Sequence, residues 1–457
     1  MYILNNMNEE QEKAVQTLND TLLIAGAGSG KTFTIINKIN HLIDNNIYTE
    51  KDILVISFTN ESVNDIKRKC NKNIEISTFH KLAINILKDE NYHLANNNLL
   101  DFIINEYFES FAKFDKKTKQ IIPRIKVETS VNYLKQYIKT FINLYKANYT
   151  NIEKLWNLYK KSFFINKDYL KIILDIYLIY QRELESSGTH DFNDLIINAQ
   201  KQIEAKTKKV PYKFIIIDEF QDTSYTRLNL ILSIKKINQA KIFFVGDDYQ
   251  SIYRFSGLDL NIFLNIQKYI PTIEILKLVQ NFRNNQETIN LANKFIMKNN
   301  KQIPKTTICQ KNLKKPIKII YFTNKQTIIK KLTPQLFGTT LIMGRNNKDK
   351  EEYNIKESEN IKFLTVHKAK GLEFDNTIII NLENKTNGFP SRIPNPKLLD
   401  KIISTDSFKD EEERRLFYVA LTRSKNYTYL IVPKDNPSVF IKEIKKIGKE
   451  YIEEINL

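Results

Sequence analysis

The chain has 457 residues, 42% of them hydrophobic, and a formal net charge of +18. That length is too great for one core, so two or three domains are expected. No apolar run approaches the roughly 18 residues that a membrane span needs, and Cys70 and Cys309 can build neither a disulfide framework nor a four-cysteine metal site.

The N-terminus, MYILNNMNEEQEKA, lacks the basic-then-apolar order of a secretory signal. A reducing cytoplasmic setting without membrane is therefore expected. The positive charge suits a polyanionic partner. The abundance of Lys, Asn and Ile also fits an AT-rich gene, so charge alone does not establish nucleic-acid binding.

In chain order, short β-branched runs come first: LLIA (22–25), ILVIS (53–57) and IEIS (74–77). Each precedes a polar or Gly-rich loop and a helical pattern, the alternation of a parallel α/β sheet. From about 90 to 187 the spacing becomes helical. Val131, Leu134, Ile138, Phe141, Ile142 and Tyr145 share one face, as do Leu170, Ile173, Ile176, Tyr177, Tyr180 and Leu184. Strands resume at FIIID (214–218) and KIFFVG (241–246). A second series follows: IKIIYF (317–322), LIMG (341–344), IKFLT (361–365), NTIIIN (376–381) and YTYLIV (427–432). The expected fold is α/β with two domains. The first spans 1–89 and 188–280, a helical insertion occupies 90–187, and the second domain spans 281–457.

Ala25, Gly26, Ala27, Gly28, Ser29, Gly30, Lys31 and Thr32 follow a strand and open a helix. They form a phosphate-loop pattern, with Ala25 in place of the usual leading glycine. Backbone N–H groups cradle phosphate, Lys31 reaches the β- and γ-phosphates, and the Thr32 hydroxyl helps to hold Mg²⁺. FIIIDE ends an apolar strand in two carboxylates. Asp218 suits Mg²⁺, and Glu219 suits orienting and deprotonating a water.

AGAGSGKT, IIIDEFQDTS, VGDDYQSIYRFSG, QNFRN, TVHKAKGLEF and EEERRLFYVALTRSK occur in the order found in the UvrD/Rep family of superfamily 1 helicases, and the sequence resembles that family from Gln11 to about Lys425. The resemblance implies two RecA-like P-loop NTPase domains, ATP and Mg²⁺ as cofactors, and hydrolysis driving movement on single-stranded DNA and duplex junctions. It implies that Gln11 reads adenine and that Phe282 stacks on it. Glu373 would lie near the ribose, Gln250 would sense the γ-phosphate, and Arg283 and Arg423 would stabilise its charge. Nucleic-acid contacts map onto Phe58, Thr59, Asn60, Thr78, Phe79, His80, Tyr253, Phe255, Arg345 and His367. Aromatics along a groove suit base stacking with little sequence preference. DFNDL (191–195) also matches the family, with no role assigned.

Three departures stand out. Phe33 occupies a place where relatives often carry arginine. Ser256 replaces another arginine, so either Arg254 substitutes or one contact is lost. Only about fifteen residues separate Asn346 from Lys362, too few for the family's second accessory domain. No nuclease pattern is expected after the second α/β domain, so any cleavage is expected to come from a partner nuclease or repair protein.

The first functional reading is a 3′–5′ single-stranded DNA translocase and helicase acting in repair, replication or recombination, monomeric on its own. One alternative is the helicase subunit of a phage-defence or repair complex with little intrinsic unwinding. Another is a non-hydrolysing ATP-gated DNA-binding scaffold, which the full set Lys31, Asp218, Glu219, Gln250, Arg283 and Arg423 disfavours.

Overall fold

A computed structural model describes residues 7–88, 93–110, 131–149, 151–393, 398–402 and 410–455. Within the expected helical insertion, 90–92, 111–130 and 150 lie outside the described residues.

The apolar runs form strands β1 (Thr21–Ala25), β2 (Ile53–Ile56), β3 (Glu75–Ser77), β6 (Phe214–Ile217), β7 (Lys241–Gly246) and β8 (Glu274–Leu278). Between them in sequence lie the two-residue strands β4 (His93–Leu94) and β5 (Thr189–His190). The six longer strands build a wholly parallel sheet in the order β3-β2-β6-β7-β1-β8. Apolar side chains on both faces are buried under helices. Strands with two covered faces read as unbroken Val/Ile/Leu/Phe runs, which explains why FIII and ILVI are legible. EILKL in β8 lies at the edge, where Ile275 and Lys277 face outward, and its mixed pattern concealed it.

The second sheet has the same architecture. β11 (Ile317–Phe322), β12 (Thr340–Gly344), β13 (Ile361–Thr365), β14 (Phe374–Ile379), β15 (Ser424–Pro433) and β16 (Ile452–Ile455) pair in parallel, in the order β13-β12-β14-β15-β11-β16. A two-stranded ribbon, β9 (Gln280–Asn285) with β10 (Ile308–Lys311), precedes it. β12 connects to β13 through one short helix, Asp349–Glu352, and Thr340 pairs directly with Ile361. No separate domain stands between them.

The helical stretch contains Leu99–Glu109, Val131–Asn148, Glu153–Lys161 and Phe164–Ser187 and has its own core around Ile138, Phe141, Tyr145 and Ile173. The β4–β5 pair ties its two ends together, a feature that the helical periodicity did not foreshadow. DFNDL fastens the insertion to the first sheet's helices. Asp191 and Asp194 form a capping box at the start of Phe192–Glu204, and both carboxylates pair with the buried Lys146 Nζ, at 2.6 and 2.8 Å.

The insertion also meets both α/β units. Leu398, Leu399 and Ile402, from the connection between β14 and β15, enter its core. Thr226 donates to the Ala147 carbonyl at 2.9 Å, and Asn148 Nδ2 donates to the Gly257 carbonyl at 3.0 Å. Gly257 has φ +85, and a Cβ there would lie 2.6 Å from the Ala147 Cβ. Left-handed backbone and close approach together require glycine. Gly257→Ala is expected to destabilise the protein by about 1–3 kcal/mol. Urea unfolding would check this; an unchanged midpoint would mean that the contact relaxes freely.

Candidate nucleotide and nucleic-acid site

The phosphate loop leaves β1 and turns into the helix Lys31–Asp44. Gly28 and Gly30 have φ +70 and +84. The ribbon strand β9 clasps this turn. Asn281 Nδ2 donates to the Ala27 carbonyl at 2.7 Å, and the Phe282 amide donates to the Gly28 carbonyl at 2.8 Å. QNFRN therefore delivers Phe282 and Arg283 directly to the loop. A Cβ on Gly28 would stand 2.6 Å from the Arg283 Cβ; one on Gly30 would stand 2.8 Å from Gln11 Nε2 and 3.8 Å from the Phe282 ring. Gln11 is buried, held by the cap at Asn8, and donates to the Ser29 carbonyl at 3.3 Å. Phe282 and Phe33 are half exposed. An amide and two rings thus border the loop where a purine would sit.

Lys31 Nζ lies 3.0 Å from Glu219 Oε1, and Lys370 Nζ lies 3.6 Å from Glu219 Oε2. Asp218 and Glu219 are coupled, and burial pushes both upward. In Asp218, burial and then the Glu219 charge raise the pKa to about 7. In Glu219 the charges of Lys31 and Lys370 overcome burial and hold it well below its ordinary range. Glu219 adopts φ +51, a left-handed conformation that costs a non-glycine residue of order 1–3 kcal/mol.

Arg423 is buried and donates to Gln250 Oε1 at 3.3 Å and to the Val419 carbonyl at 2.9 Å. Burial first, then Arg283, lowers its pKa to about 9, which leaves it charged at neutral pH. Arg283 reaches the Thr422 carbonyl at 3.5 Å and pairs with Glu373 at 2.9 Å. Glu373 also meets Lys425 at 3.1 Å, so its carboxylate is here a counter-charge to two cations. Lys31, Glu219, Gln250, Arg283 and Arg423 form one connected electrostatic cluster drawn from both α/β units. Thr32 follows Lys31 in the first turn of the helix and Asp218 is buried at the end of β6, so a hydroxyl and a carboxylate, oxygen donors of the kind Mg²⁺ takes, are both present.

A second group of side chains gathers at the far end of the loop 247–257. Phe58 stacks on Tyr253 with centroids 5.6 Å apart, and Tyr253 and Phe255 stand 6.0 and 5.5 Å from His367. Phe255 is 57% exposed. Phe58, Tyr253 and Phe255 come from the first unit and His367 from the second. The Tyr253 hydroxyl donates to the His367 carbonyl at 2.9 Å. His80 faces Phe192 at 4.8 Å, and Phe192 is 42% exposed.

Other expected contacts are otherwise engaged. Phe79 is 5% exposed and belongs to the first core, so its ring packs and does not offer a stacking face. Thr59 and Thr78 cap the helices Asn60–Lys69 and Phe79–Leu87, while Asn60 is exposed. Arg345 forms a forked pair with Glu413 at 2.7 to 3.2 Å. Arg254 is buried and pairs with Asp400 at 3.5 Å. Asp400 lies in the connection between β14 and β15, so the Arg254 guanidinium is engaged within the protein.

Two contributors escaped the sequence reading. Lys370, inside TVHKAKGLEF, pairs with Asp222 and donates to the Gln250 carbonyl at 2.8 Å. Phe192, inside DFNDL, adds an exposed ring beside His80. In each case the motif was visible and the individual side chain was not singled out.

Two parallel sheets, a phosphate loop on the first and arginines brought to it by the second define a P-loop protein built from two RecA-like units. Comparison with known families agrees. The UvrD/REP helicase N-terminal domain matches residues 7–271, and the UvrD-like helicase C-terminal domain matches 339–435. The chain belongs to the UvrD/Rep helicase family. DNA helicase IV of Escherichia coli (strain K12) is 26% identical, covering 96% of this chain and 70% of that protein. ATP-dependent DNA helicase Rep of Buchnera aphidicola subsp. Schizaphis graminum is 29% identical over 72% of this chain and 50% of its own length. ATP-dependent DNA helicase PcrA of Leuconostoc citreum is 31% identical over 66% and 40%. The chain thus spans half or less of the Rep and PcrA relatives. Among the described residues, no helix is long and apolar enough to cross a membrane.

Burial first, then the charges of Arg227 and Arg345 respectively, lower the pKa of His80 and His367 to about 4. Both imidazoles are therefore neutral at pH 6 to 8, and the unfolded chain binds the extra protons below about 6.5. Stability from these groups is expected to fall as pH drops from about 6.5 towards 4 and to level off below that. Histidine NMR titration checks the values; a midpoint near 6.5 for either residue contradicts them.

Proposed function

We propose that the chain is an ATP-driven translocase and helicase on single-stranded DNA, moving 3′ to 5′ as its family resemblance implies. The observation that carries this reading is the loop 247–257. At one end Gln250 accepts from Arg423; at the other, Tyr253 and Phe255 meet His367 beside Phe58. Tyr253 and Phe255, the base-stacking rings of this reading, follow its γ-phosphate sensor Gln250 by three and five positions.

The chemistry follows from the residues. Amides at the start of Lys31–Asp44 and Lys31 itself bind the phosphates. Thr32 and Asp218 would hold Mg²⁺, which supplies charge neutralisation on phosphate oxygens. When Lys31 turns from Glu219 to phosphate, Glu219 loses its nearest cation and becomes a stronger base for the attacking water. Arg283 and Arg423 stabilise the charge that develops on the transferred phosphoryl group. Such arginines are typically worth about 10³–10⁵ in rate. Closure of the second unit on ATP then moves His367 against Tyr253 and Phe255, changing the grip on a base.

The short β12–β13 connection favours stepping over strand separation. Opening each base-pair step costs about 1.4 kcal/mol in stacking on average, and a motor with less surface ahead of it slips back more often. Efficient single-strand translocation is expected alongside short, inefficient unwinding of 3′-tailed duplexes, improved by a partner. Displacement of an 18-mer and a 60-mer at matched ATP turnover tests this; equally fast, complete displacement of both by the chain alone would refute it.

Lys31→Ala and Glu219→Gln are expected to abolish turnover, Glu219→Gln while still binding ATP. Near-normal hydrolysis by Glu219→Gln would remove it as the base. Phe255→Ala is expected to lower strand-stimulated turnover several-fold and leave strand-free turnover nearly intact, since stacking contributes about 1–3 kcal/mol per base. Equal loss in both assays would assign Phe255 to packing alone.

A further inference from the structure

Asp247 and Asp248 are consecutive carboxylates, both fully buried, and the family motifs do not account for what neutralises them. The segment 299–305, which follows the helix Gln286–Ile296, lies against them. Gln302 Nε2 and the Ile303 amide donate to Asp248 Oδ2 at 2.7 and 2.8 Å. Lys305, with only 8% of its side chain exposed, forms ion pairs with both Asp247 and Asp248. Its Nζ also stands 3.5 Å from the centre of the Tyr249 ring. The same segment is tied to the second unit: Asn299 Nδ2 donates to the Glu411 carbonyl at 3.0 Å, at the start of the helix Glu411–Leu421 that leads to Arg423.

Asp247 is the pivot. One carboxylate oxygen accepts from the Tyr249 amide at 3.1 Å; the other accepts from Gln250 Nε2 at 2.6 Å. The remaining amide oxygen of Gln250 is thereby presented to Arg423 at 3.3 Å. The orientation of Gln250 depends on Asp247 staying ionised. Two adjacent carboxylates out of water do not both stay ionised without a counter-charge, and Lys305 is the cation that touches both. Burial acts to raise the pKa of Asp247; Lys305, the largest opposing influence, holds it below the ordinary range.

We propose that Lys305 is a positioning residue for nucleotide hydrolysis, which holds the ionised Asp247–Asp248 pair so that Gln250 is fixed between Asp247 and Arg423. It acts through Gln250 and does not itself touch the nucleotide. Because it comes from the segment that leads into the second sheet, it also pins the loop 247–250 to the unit that supplies the arginines. The role rests on the proposed ATPase reading, yet the two fail differently: absence of turnover in the unaltered chain sinks that reading, whereas the Lys305 role is decided by comparing variants with an active parent.

The experiment measures single-strand-stimulated ATP turnover, the KM for ATP, nucleotide-free single-strand affinity and thermal unfolding for Lys305→Met, which keeps the side-chain length and removes the charge. The expected result is a kcat at least tenfold lower, with KM and strand affinity within threefold of the parent. Adding Asp248→Asn, which removes one negative charge, should recover at least threefold of the lost kcat. A kcat within twofold of the parent overturns the proposal. So does a parallel loss in KM and strand affinity, the sign of a residue that only supports the fold, and so does a double variant with no recovery. If Lys305→Met alone fails to fold, the double variant decides: low kcat with normal KM supports the role, and a parental kcat overturns it. Failure of both to fold would assign Lys305 to stability and also overturn it.

Discussion

Asp247 and Tyr249 are two residues apart, yet the Asp247 backbone is seated in the first unit and the Tyr249 ring in the second. Asp247 leaves the end of β7 and is held by Gln221 from the neighbouring strand end, whose Oε1 accepts from its amide at 2.9 Å. Tyr249 and Ile252 are fully buried in the apolar core of the second sheet, where Tyr249 packs edge-on against Tyr418 at 5.2 Å. The chain cannot retract those two side chains without opening a cavity in the second core, which costs several kcal/mol for a large residue. The two α/β units are therefore joined through a rigid loop as well as through the covalent connection. The proposed nucleotide sensing and strand contact both depend on that insertion of one unit's loop into the other's core.

Around this joint, charge is concentrated where water is scarce. Glu219, Asp222, Asp247 and Asp248 pair with Lys31, Lys305 and Lys370, whose side chains are largely covered, and the buried Arg423 bonds to Gln250 beside them. Such an arrangement is costly for stability, because each buried ion gives up its hydration and only its partners offset that loss. The aromatic group on the far side of the loop is different in kind. Phe255 and Phe192 remain exposed, and an exposed ring is available for stacking only because its neighbours Tyr253 and His80 are fixed.

Much of this was legible early for a physical reason. A phosphate loop needs glycines at positive φ and a lysine at a helix start, and a buried parallel strand needs an unbroken apolar run, so AGAGSGKT and FIIIDE announce themselves locally. Two of the four edge strands of the six-stranded sheets do not: EILKL in β8 and IEEI in β16 mix apolar residues with exposed polar ones, whereas the edges β3 and β13 are legible as IEIS and IKFLT. The two-residue strands β4 and β5 exist only through their pairing and leave no trace in periodicity. Phe79 illustrates a different limit. Its motif predicts a strand contact, but the ring lies on the core side of its helix, and nothing in STFH distinguishes it from His80 beside it.

The sequence by itself determined the two α/β units, the helical stretch between parts of the first, the phosphate site and the family, since each rests on local spacing or on ordered motifs. Only the tertiary structure decided which side chains meet. It turned Arg254 inward to Asp400, committed Arg345 to Glu413 and Glu373 to Arg283, and brought Lys370 and Lys305 to carboxylates 148 and 58 positions away in the chain. Charge pairing of that kind depends on distance in space and on loss of water. A linear order of residues carries neither, because a lysine bound for a buried carboxylate is written no differently from one bound for solvent.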